Sequence, residues 1–132
     1  MTRRSIDEVV DEERARYRRV DPAAAAALRD DGGLLVDIRP VGLRQRDGEI
    51  PDAVIVDRNK LEWRLDPASA DRLDVVDDAT YERPVVLFCE DGYASTLAAV
   101  SLRALGLEGA TDMIGGFRAW AAAGRPVTPA RP

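Results

Sequence analysis

Residues 85–106 read VVLFCEDGYASTLAAVSLRALG and contain the only cysteine of the chain, Cys89. The apolar, β-branched run before Cys89 lacks polar alternation, which is typical of a central strand covered on both faces of a parallel sheet. The residues from 95 to 105 predict a helix that ends at Gly106. Ligands of open parallel sheets bind beyond the carboxyl ends of the strands, so this stretch predicts a site at Cys89.

The rest of the chain alternates predicted helices with short apolar segments. Ser5 and Glu8 have the spacing of a capping box and predict a helix over residues 5–20. Later helices are predicted at residues 22–31, 59–73 and 115–124, a helix or loop at 41–48, and strands at 34–38, 54–56 and 111–114. This alternation predicts a single α/β domain over residues 1–132 with a mainly parallel sheet, ending in a loose tail at residues 127–132.

The composition argues against several classes of chemistry. The chain has 132 residues, one cysteine and no histidine, which excludes an internal disulfide, the usual zinc clusters and a histidine general base. A net charge of −5 argues against a nucleic-acid surface. No apolar run approaches the roughly 20 residues of a membrane span, and the N-terminal stretch turns acidic where a secretory signal would turn hydrophobic. We therefore predict a cytoplasmic protein without nucleic-acid or membrane partners.

The segment after Cys89 favours an ionised thiol. A strand that passes through a loop containing Gly92 into a helix near Ser95 can turn its backbone N–H groups toward one point, where the sulfur would lie. Amide donors and the positive end of a helix dipole favour a thiolate without help from histidine. The alternative is that Cys89 is simply a core residue, since free cysteines are among the most buried residue types.

Four segments occur in an order that indicates a family. LLVDIRP (34–40) and GEIPDAVIV (48–56) precede VVLFCEDGYAS (85–95), and GLEGATDMIGGFRAWAAAGRPV (106–127) follows it. In turn, they resemble the Asp-x-Arg element, the Gly-His-Ile-Pro-Gly-Ala segment, the active-site loop and the Gly-Gly-x-x-x-Trp ending of the rhodanese-like domains, the sulfurtransferase superfamily. The resemblance implies a five-stranded sheet with helices on both faces, and a Cys89 nucleophile that accepts a sulfane sulfur as a persulfide. It implies neither a metal nor an organic cofactor.

The sequence departs from the family pattern at positions that bear on the substrate. Members with clear thiosulfate activity usually carry a basic residue five positions after the cysteine, where this chain has Ala94. In the second motif, Glu49 replaces the histidine and Asp52 replaces the glycine. The related phosphatases carry an arginine six positions after the cysteine, where this chain has Ser95, so phosphatase activity is not predicted.

The candidate substrate-binding residues are the cysteine loop and two arginines, namely Glu90, Asp91, Gly92, Tyr93, Ala94, Ser95, Arg39 and Arg58. Glu90 and Asp91 either point into solvent beside the helix N-terminus or form an acidic entrance that disfavours the thiosulfate dianion. Tyr93 would form a pocket wall, and Ser95 would cap the helix or donate to a bound anion.

The two arginines lie after other predicted strands. Arg39 either pairs structurally with Asp37 or, as the resemblance suggests, helps to hold the loop. Arg58 could supply the cation that the loop lacks at Ala94. Trp120 and Phe117, in the last motif, are predicted to be core residues.

Two functions from different classes follow. The first is a sulfurtransferase in which Cys89 takes a sulfane sulfur from a small-molecule donor or a partner protein's persulfide and passes it to a nucleophilic acceptor. The second is a non-catalytic module of the same fold that binds a partner or senses redox state. Ala94 and the loop acids favour the second function, and the placement of Cys89 favours the first.

Overall fold

Six α-helices and four short β-strands alternate along the chain in the computed structural model, which describes residues 2–132. The helices are α1 (Ile6–Arg14), α2 (Pro22–Asp30), α3 (Val41–Asp47), α4 (Leu61–Leu65), α5 (Ala94–Ala104) and α6 (Gly116–Ala122). The strands are β1 (Leu34–Asp37), β2 (Val54–Ile55), β3 (Val85–Phe88) and β4 (Ala110–Asp112), and two 3-10 helices span Arg58–Lys60 and Asp78–Tyr81. No helix within the described residues has the length and apolar character needed to cross a bilayer.

The strands form one parallel sheet in the order β2-β1-β3-β4. Successive residues of a strand point to opposite faces, so Val85 and Leu87 pack on one side while Val86 and Phe88 pack on the other. All four residues of β3 are fully buried. The prediction that the run before Cys89 is a central strand covered on both faces is confirmed.

Helices cover both faces of the sheet, as predicted. The face that carries the Cys89 side chain packs against α4 and α5, through residues such as Leu61 and Leu102. The opposite face packs against α2 and α6, where Phe117 and Trp120 are buried in the core. The predicted core roles of these two aromatic residues are confirmed.

The prediction of five strands is wrong, since the described residues form a four-stranded sheet. The fifth position, beside β4, holds one isolated parallel bridge between Val20 and Met113. Asp21 follows at once as the N-cap of α2, and Pro22 is the first residue of that helix. Because proline lacks a backbone N–H and its φ suits a helix start, the chain leaves the sheet edge after one residue.

The predicted helix over residues 5–20 is too long. Ser5 forms the expected capping box with Glu8, but α1 ends at Arg14. The residues that follow run in an irregular path, and the Arg18 carbonyl accepts a hydrogen bond from Thr111 Oγ1 at 2.7 Å. The helix ends early because side chains and carbonyls of this segment bind the sheet edge.

The tail predicted to be loose is tied to the domain. The backbones of Glu49 and Thr128 exchange two hydrogen bonds, at 2.7 and 2.8 Å. Arg131 pairs with the buried Glu49 carboxylate at 2.9 Å and donates to the Ala53 carbonyl at 2.8 Å. Burial alone would raise the pKa of Glu49, but hydrogen bonds from Arg131 and Arg44 outweigh it and lower that pKa. A buried carboxylate therefore holds the last residues of the chain.

Candidate active site

The sulfur of Cys89 lies just beyond the carboxyl end of β3, in the apolar layer between the sheet and α5. The Gly92 N–H donates to Sγ at 3.1 Å. Cys89 is a buried residue, with 7% of its surface exposed. One of the loop amides predicted to meet the sulfur therefore does so.

Gly92 is a glycine for two separate reasons. Its φ is +91°, in the left-handed region that residues with a Cβ rarely adopt. A Cβ at this position would also lie 2.8 Å from the backbone nitrogen of Gly115, at the start of α6. The tight contact holds the loop against α6 and fixes the amide that points at the sulfur.

The loop carbonyls are tied outward, away from the sulfur. The N–H groups of Phe117 and Arg118, in α6, donate to the carbonyls of Cys89 and Glu90 at 2.9 and 3.0 Å. The Gly92 carbonyl accepts hydrogen bonds from two arginine side chains, described below. These outward contacts hold the loop in the conformation in which the Gly92 N–H faces the sulfur.

The helix α5 begins immediately after the loop. Its N-cap, Tyr93, makes no side-chain capping hydrogen bond. The first N–H groups of a helix have no partner within the helix, and they carry the positive end of its dipole. The predicted order of strand, cysteine, glycine loop and helix is thus confirmed, and Ala94, the first residue of α5, is exposed.

Two arginines from the N-terminal segment donate hydrogen bonds to the cysteine loop. Arg14, the last residue of α1, donates to the Gly92 carbonyl at 2.7 Å and to Thr96 Oγ1 at 3.0 Å. Arg19 donates to the same carbonyl at 3.1 Å and forms a two-pronged ion pair with Asp112 at 2.9 and 3.0 Å. We refer to Arg14, Arg19, Asp112 and Gly92 as the loop network.

Asp112, at the carboxyl end of β4, is the fully buried centre of the loop network. Besides Arg19, its carboxylate accepts hydrogen bonds from Tyr17 and Ser95 at 2.7 Å and from Thr96 at 3.2 Å. Burial alone would raise the pKa of Asp112, but the hydrogen bonds from Arg19, Tyr17 and Ser95 outweigh it and lower that pKa. The carboxylate is ionised at neutral pH.

The same contacts change two expectations. The Ser95 hydroxyl is buried against Asp112, so it neither caps α5 nor faces a bound anion as predicted. Burial and the neighbouring Asp112 raise the pKa of Tyr17, which therefore stays neutral. Both hydroxyls serve the loop network as donors.

A second buried cluster lies on the other side of the loop. Arg39 is fully buried and donates to Asp37 at 2.8 Å, to Glu90 at 3.1 Å and to the Gly48 carbonyl at 2.8 Å. Its guanidinium stacks 4.0 Å from the centre of the Phe117 ring. We refer to Asp37, Arg39 and Glu90 as the strand-end cluster. The predicted Asp37–Arg39 ion pair is present, and the hydrogen bonds of the Arg39 guanidinium go to groups of the protein.

Glu90 belongs to this cluster and not to the entrance of the site. It is buried, and Arg46 and Arg118 approach its carboxylate at 3.5 Å in addition to Arg39. Burial and the neighbouring Asp47 carboxylate raise the pKa of Glu90, and Arg39 opposes this shift. Both sequence-based interpretations of Glu90, as a solvated acid and as an acid at the entrance, are wrong. The reason is that the loop turns this side chain toward the arginines.

The exposed side of the loop consists of Asp91, Tyr93 and Ala94. Tyr93 is 62% exposed, and the Arg14 guanidinium lies 5.8 Å from its ring centre. Tyr93 therefore stands at the surface beside the loop and does not form the predicted pocket wall. The exposed side of the loop therefore presents one acid and one aromatic ring, and the loop itself contains no basic residue.

Arg58, the predicted substitute for the missing loop cation, is held by an acidic side chain. Its guanidinium pairs with Glu62 of α4 at 3.0 Å. It lines a pocket of about 440 Å³ at the carboxyl ends of β1 and β2, together with Arg39 and Arg44. Among the described hydrogen bonds, none joins Arg58 to the cysteine loop.

Within residues 2–132, no group of three or more histidine, cysteine or acidic side chains is arranged to hold a metal ion.

Sequence reasoning missed Arg14, Arg19 and Asp112. A signal for Asp112 was present, because it ends a strand whose carboxyl end lies on the same sheet edge as Cys89. The arginines stand in RARYRRV, residues 14–20, an arginine-rich stretch in an acidic chain. Read as a helix, that stretch presents a charged outer face. Arg14 faces the loop because α1 packs against α5, and Arg19 reaches the loop because the chain has left the helix after Arg14.

The fold and the loop together define an α/β domain whose site is centred on one cysteine at the end of a central strand. A family model described as rhodanese-like domain matches residues 21–123. The chain belongs to the rhodanese-like domain family.

Individual relatives agree with this assignment. The chain is 31% identical over 106 residues to the thiosulfate sulfurtransferase GlpE of Pseudomonas savastanoi. This alignment covers 80% of this chain and 89% of that protein. A structure from Rhodopseudomonas palustris, described as a protein of unknown function and possible tyrosine phosphatase, is 32% identical, with a TM-score of 0.82 and 97% of both chains covered. A human single-domain sulfurtransferase is 26% identical, with a TM-score of 0.63, and covers 80% of this chain and 96% of that one.

Proposed function

We propose that this protein is a rhodanese-like sulfurtransferase that carries a sulfane sulfur on Cys89. The single observation that carries the proposal is the hydrogen bond from the Gly92 N–H to Cys89 Sγ at 3.1 Å. An N–H aimed at Sγ stabilises the negative charge of the thiolate, which attacks the donor and forms again when the acceptor takes the sulfur. The start of α5 adds a favourable dipole.

The proposed reaction has two displacement steps. The Cys89 thiolate attacks the outer sulfur of the donor, so the new S–S bond forms as the donor's bond to that sulfur breaks. The donor's remainder leaves with the bonding electron pair. A nucleophilic acceptor then attacks the outer sulfur of the persulfide and returns Cys89 as a thiolate. Neither step requires an external oxidant or reductant, a metal or an organic cofactor.

The surroundings of the loop bear on the donor. The similar Pseudomonas protein is named for thiosulfate, which makes thiosulfate the first donor to test. Position 94 is alanine and the exposed loop acid is Asp91, so a dianion approaches without a loop cation and against a negative charge. We therefore propose a neutral or cationic sulfane-sulfur donor, or a partner protein's persulfide, as the preferred source of sulfur. We also propose that the protein acts in the cytoplasm, where thiols persist, and without a nucleic-acid or membrane partner.

A binding or redox-sensing module is the second candidate, favoured by the limited exposure of Cys89 and by Ala94. Such a module would keep the fold without turning over. A phosphatase is not proposed, although one similar structure is described as a possible tyrosine phosphatase. Ser95 stands where phosphatases carry an arginine, and its hydroxyl is buried against Asp112.

The test is intact-protein mass spectrometry after incubation with a small-molecule persulfide and, separately, with thiosulfate. We expect a gain of one sulfur atom that later addition of cyanide or a thiol removes. Cys89 is the only cysteine, so Cys89→Ser is a matched control that should show no gain. A wild-type protein that gains no sulfur from either donor would favour the binding module.

A further inference from the structure

The loop of the candidate site contains no basic residue, but two arginines from another segment of the chain donate hydrogen bonds to it. Both hydrogen bonds terminate at the Gly92 carbonyl, at 2.7 Å from Arg14 and 3.1 Å from Arg19. Gly92 is also the residue whose N–H meets the sulfur. The N-terminal segment is thus linked to Cys89 through one residue.

The two arginines differ in how their charges are compensated. Arg19 is matched by Asp112, with which it forms a two-pronged ion pair. Within residues 2–132, Arg14 takes part in no ion pair, and its guanidinium is held by Thr96 Oγ1 and the Gly92 carbonyl. The two guanidinium groups carry two positive charges and Asp112 carries one negative charge, so one positive charge remains next to the Gly92 carbonyl. That charge belongs to Arg14.

Both arginines also lie outside the part of the chain that the family model describes. The match begins at residue 21, whereas Arg14 and Arg19 precede it. The helix that carries Arg14 packs against α5, the helix that follows the cysteine loop. The segment that precedes the matched residues therefore contacts the cysteine loop directly.

We propose that Arg14 and Arg19 are positioning residues for the Cys89 loop, and that Arg14 supplies from the N-terminal segment the positive charge that Ala94 does not. Arg19 joins the loop to the buried Asp112 and fixes the Gly92 carbonyl. Arg14 holds the same carbonyl and adds a charge that favours the thiolate. This inference rests on the proposed function, since it concerns how the same thiol is kept ready to react.

The measurement is the alkylation rate of Cys89 by iodoacetamide at neutral pH, divided by the rate on the alkaline plateau that the folded protein reaches when its thiol is fully ionised. This ratio reports the thiolate fraction and cancels changes in access to the sulfur. The other titratable groups around the loop are Tyr17, Asp91, Tyr93 and Asp112, and Glu90 is turned toward the strand-end cluster. All of these residues are the same in every variant.

The variants isolate the charge of Arg14. Arg14→Gln should lower the ratio by about tenfold, as expected for the loss of one nearby positive charge, and Arg14→Lys should restore most of it. The control is Arg16→Gln, because Arg16 lies on the same segment, its side chain is 73% exposed, and its one ion pair within residues 2–132 is with Glu13, at 3.8 Å. It should leave the ratio unchanged. Circular dichroism confirms that each variant is folded.

Three outcomes would overturn the proposal: an unchanged ratio in Arg14→Gln, an equal fall in Arg16→Gln, or an Arg14→Lys variant as impaired as Arg14→Gln. Alkylation needs no sulfur donor, so the result is independent of the mass-spectrometry test. A protein that gains no sulfur but shows the expected ratios would refute the sulfurtransferase and leave the role of Arg14 in place.

Discussion

The cysteine loop lies between two buried ion clusters that have different tasks. In the strand-end cluster, Arg39 joins two carboxylates, and the contact with the loop is through the Glu90 side chain. In the loop network, Arg19 joins one carboxylate to a backbone carbonyl, that of Gly92. The first cluster fixes a side chain that points away from the sulfur. The second fixes the residue whose N–H contacts it.

This difference separates stability from reactivity. Charges buried and paired in the strand-end cluster mainly determine how firmly the ends of β1 and β3 are joined. The loop network also holds the residue whose N–H contacts the sulfur, and in our proposal its one uncompensated charge, that of Arg14, acts on that atom. Substitutions in the first cluster should therefore change the free energy of unfolding, and substitutions in the second should also change the chemistry of Cys89.

The largest loss of stability is expected for Arg39→Met. It leaves the buried carboxylates of Asp37 and Glu90 without their shared partner, which costs about 3–5 kcal/mol. Urea unfolding at neutral pH measures the loss. The matched control is Arg46→Gln, because Arg46 also approaches Glu90 but is exposed, and it should cost less than about 1 kcal/mol. Equal losses in the two variants would show that Arg39 does not hold the strand-end cluster together.

Asp112→Asn is expected to cost about 2–3 kcal/mol at neutral pH, since the amide cannot replace the carboxylate opposite Arg19. The pKa of Asp112 is lowered in the folded protein, so its ionised form stabilises the fold at pH values above the ordinary carboxyl pKa of about 4. That contribution is lost as the pH falls below this value.

The measurement is urea unfolding of both proteins across the acidic range. The stability difference between wild type and Asp112→Asn should be full at neutral pH and shrink on acidification. A difference that stays constant or grows toward low pH would contradict the lowered pKa of Asp112.

Asp91→Asn tests which loop acid faces an incoming reagent. The ratio of Cys89 alkylation by iodoacetate, an anion, to that by neutral iodoacetamide should rise by about two- to fivefold at low salt. Glu90→Gln should change this ratio less, because Glu90 is buried among arginines. A larger rise in Glu90→Gln than in Asp91→Asn would place Glu90 at the entrance after all.

The smallest effect is expected for Arg131→Ala. Arg44 still pairs with Glu49 at 3.0 Å, and Arg131 is half exposed, so the cost should stay below about 1 kcal/mol. Urea unfolding checks this value. A loss as large as that of Arg39→Met would mean that the tail is a main support of the domain.

Much of the fold could be predicted from short stretches of sequence. The apolar run of β3, the glycine at 92 and the start of α5 are local signals, and the structure agrees with each. The Asp37–Arg39 pair was also accessible, because its members are two residues apart. Even the departure at Asp52 has a local explanation, since its φ is +66°, where the family motif carries glycine and aspartate is tolerated better than most residues.

The errors concern interactions between distant parts of the chain. Residues 15–20 have a helical pattern, but contacts with β4 end the helix at Arg14. Glu90 follows the cysteine directly, yet its direction depends on Arg39, which lies 51 residues away in the sequence. The predicted fifth strand does not form, because Val20 makes a single bridge to the sheet and the N-cap of α2 follows directly after it.

The sequence by itself determined the parallel α/β fold, the family and the place of the one cysteine at the end of a buried strand. These follow from the spacing of apolar residues and glycines, which each segment carries within itself. The tertiary structure decided which charges surround the sulfur. Arg14 and Arg19 reach Gly92 across 78 and 73 positions of sequence, and only packing of α1 against α5 brings them there. Electrostatic interactions depend on distance in space, which local sequence patterns do not specify.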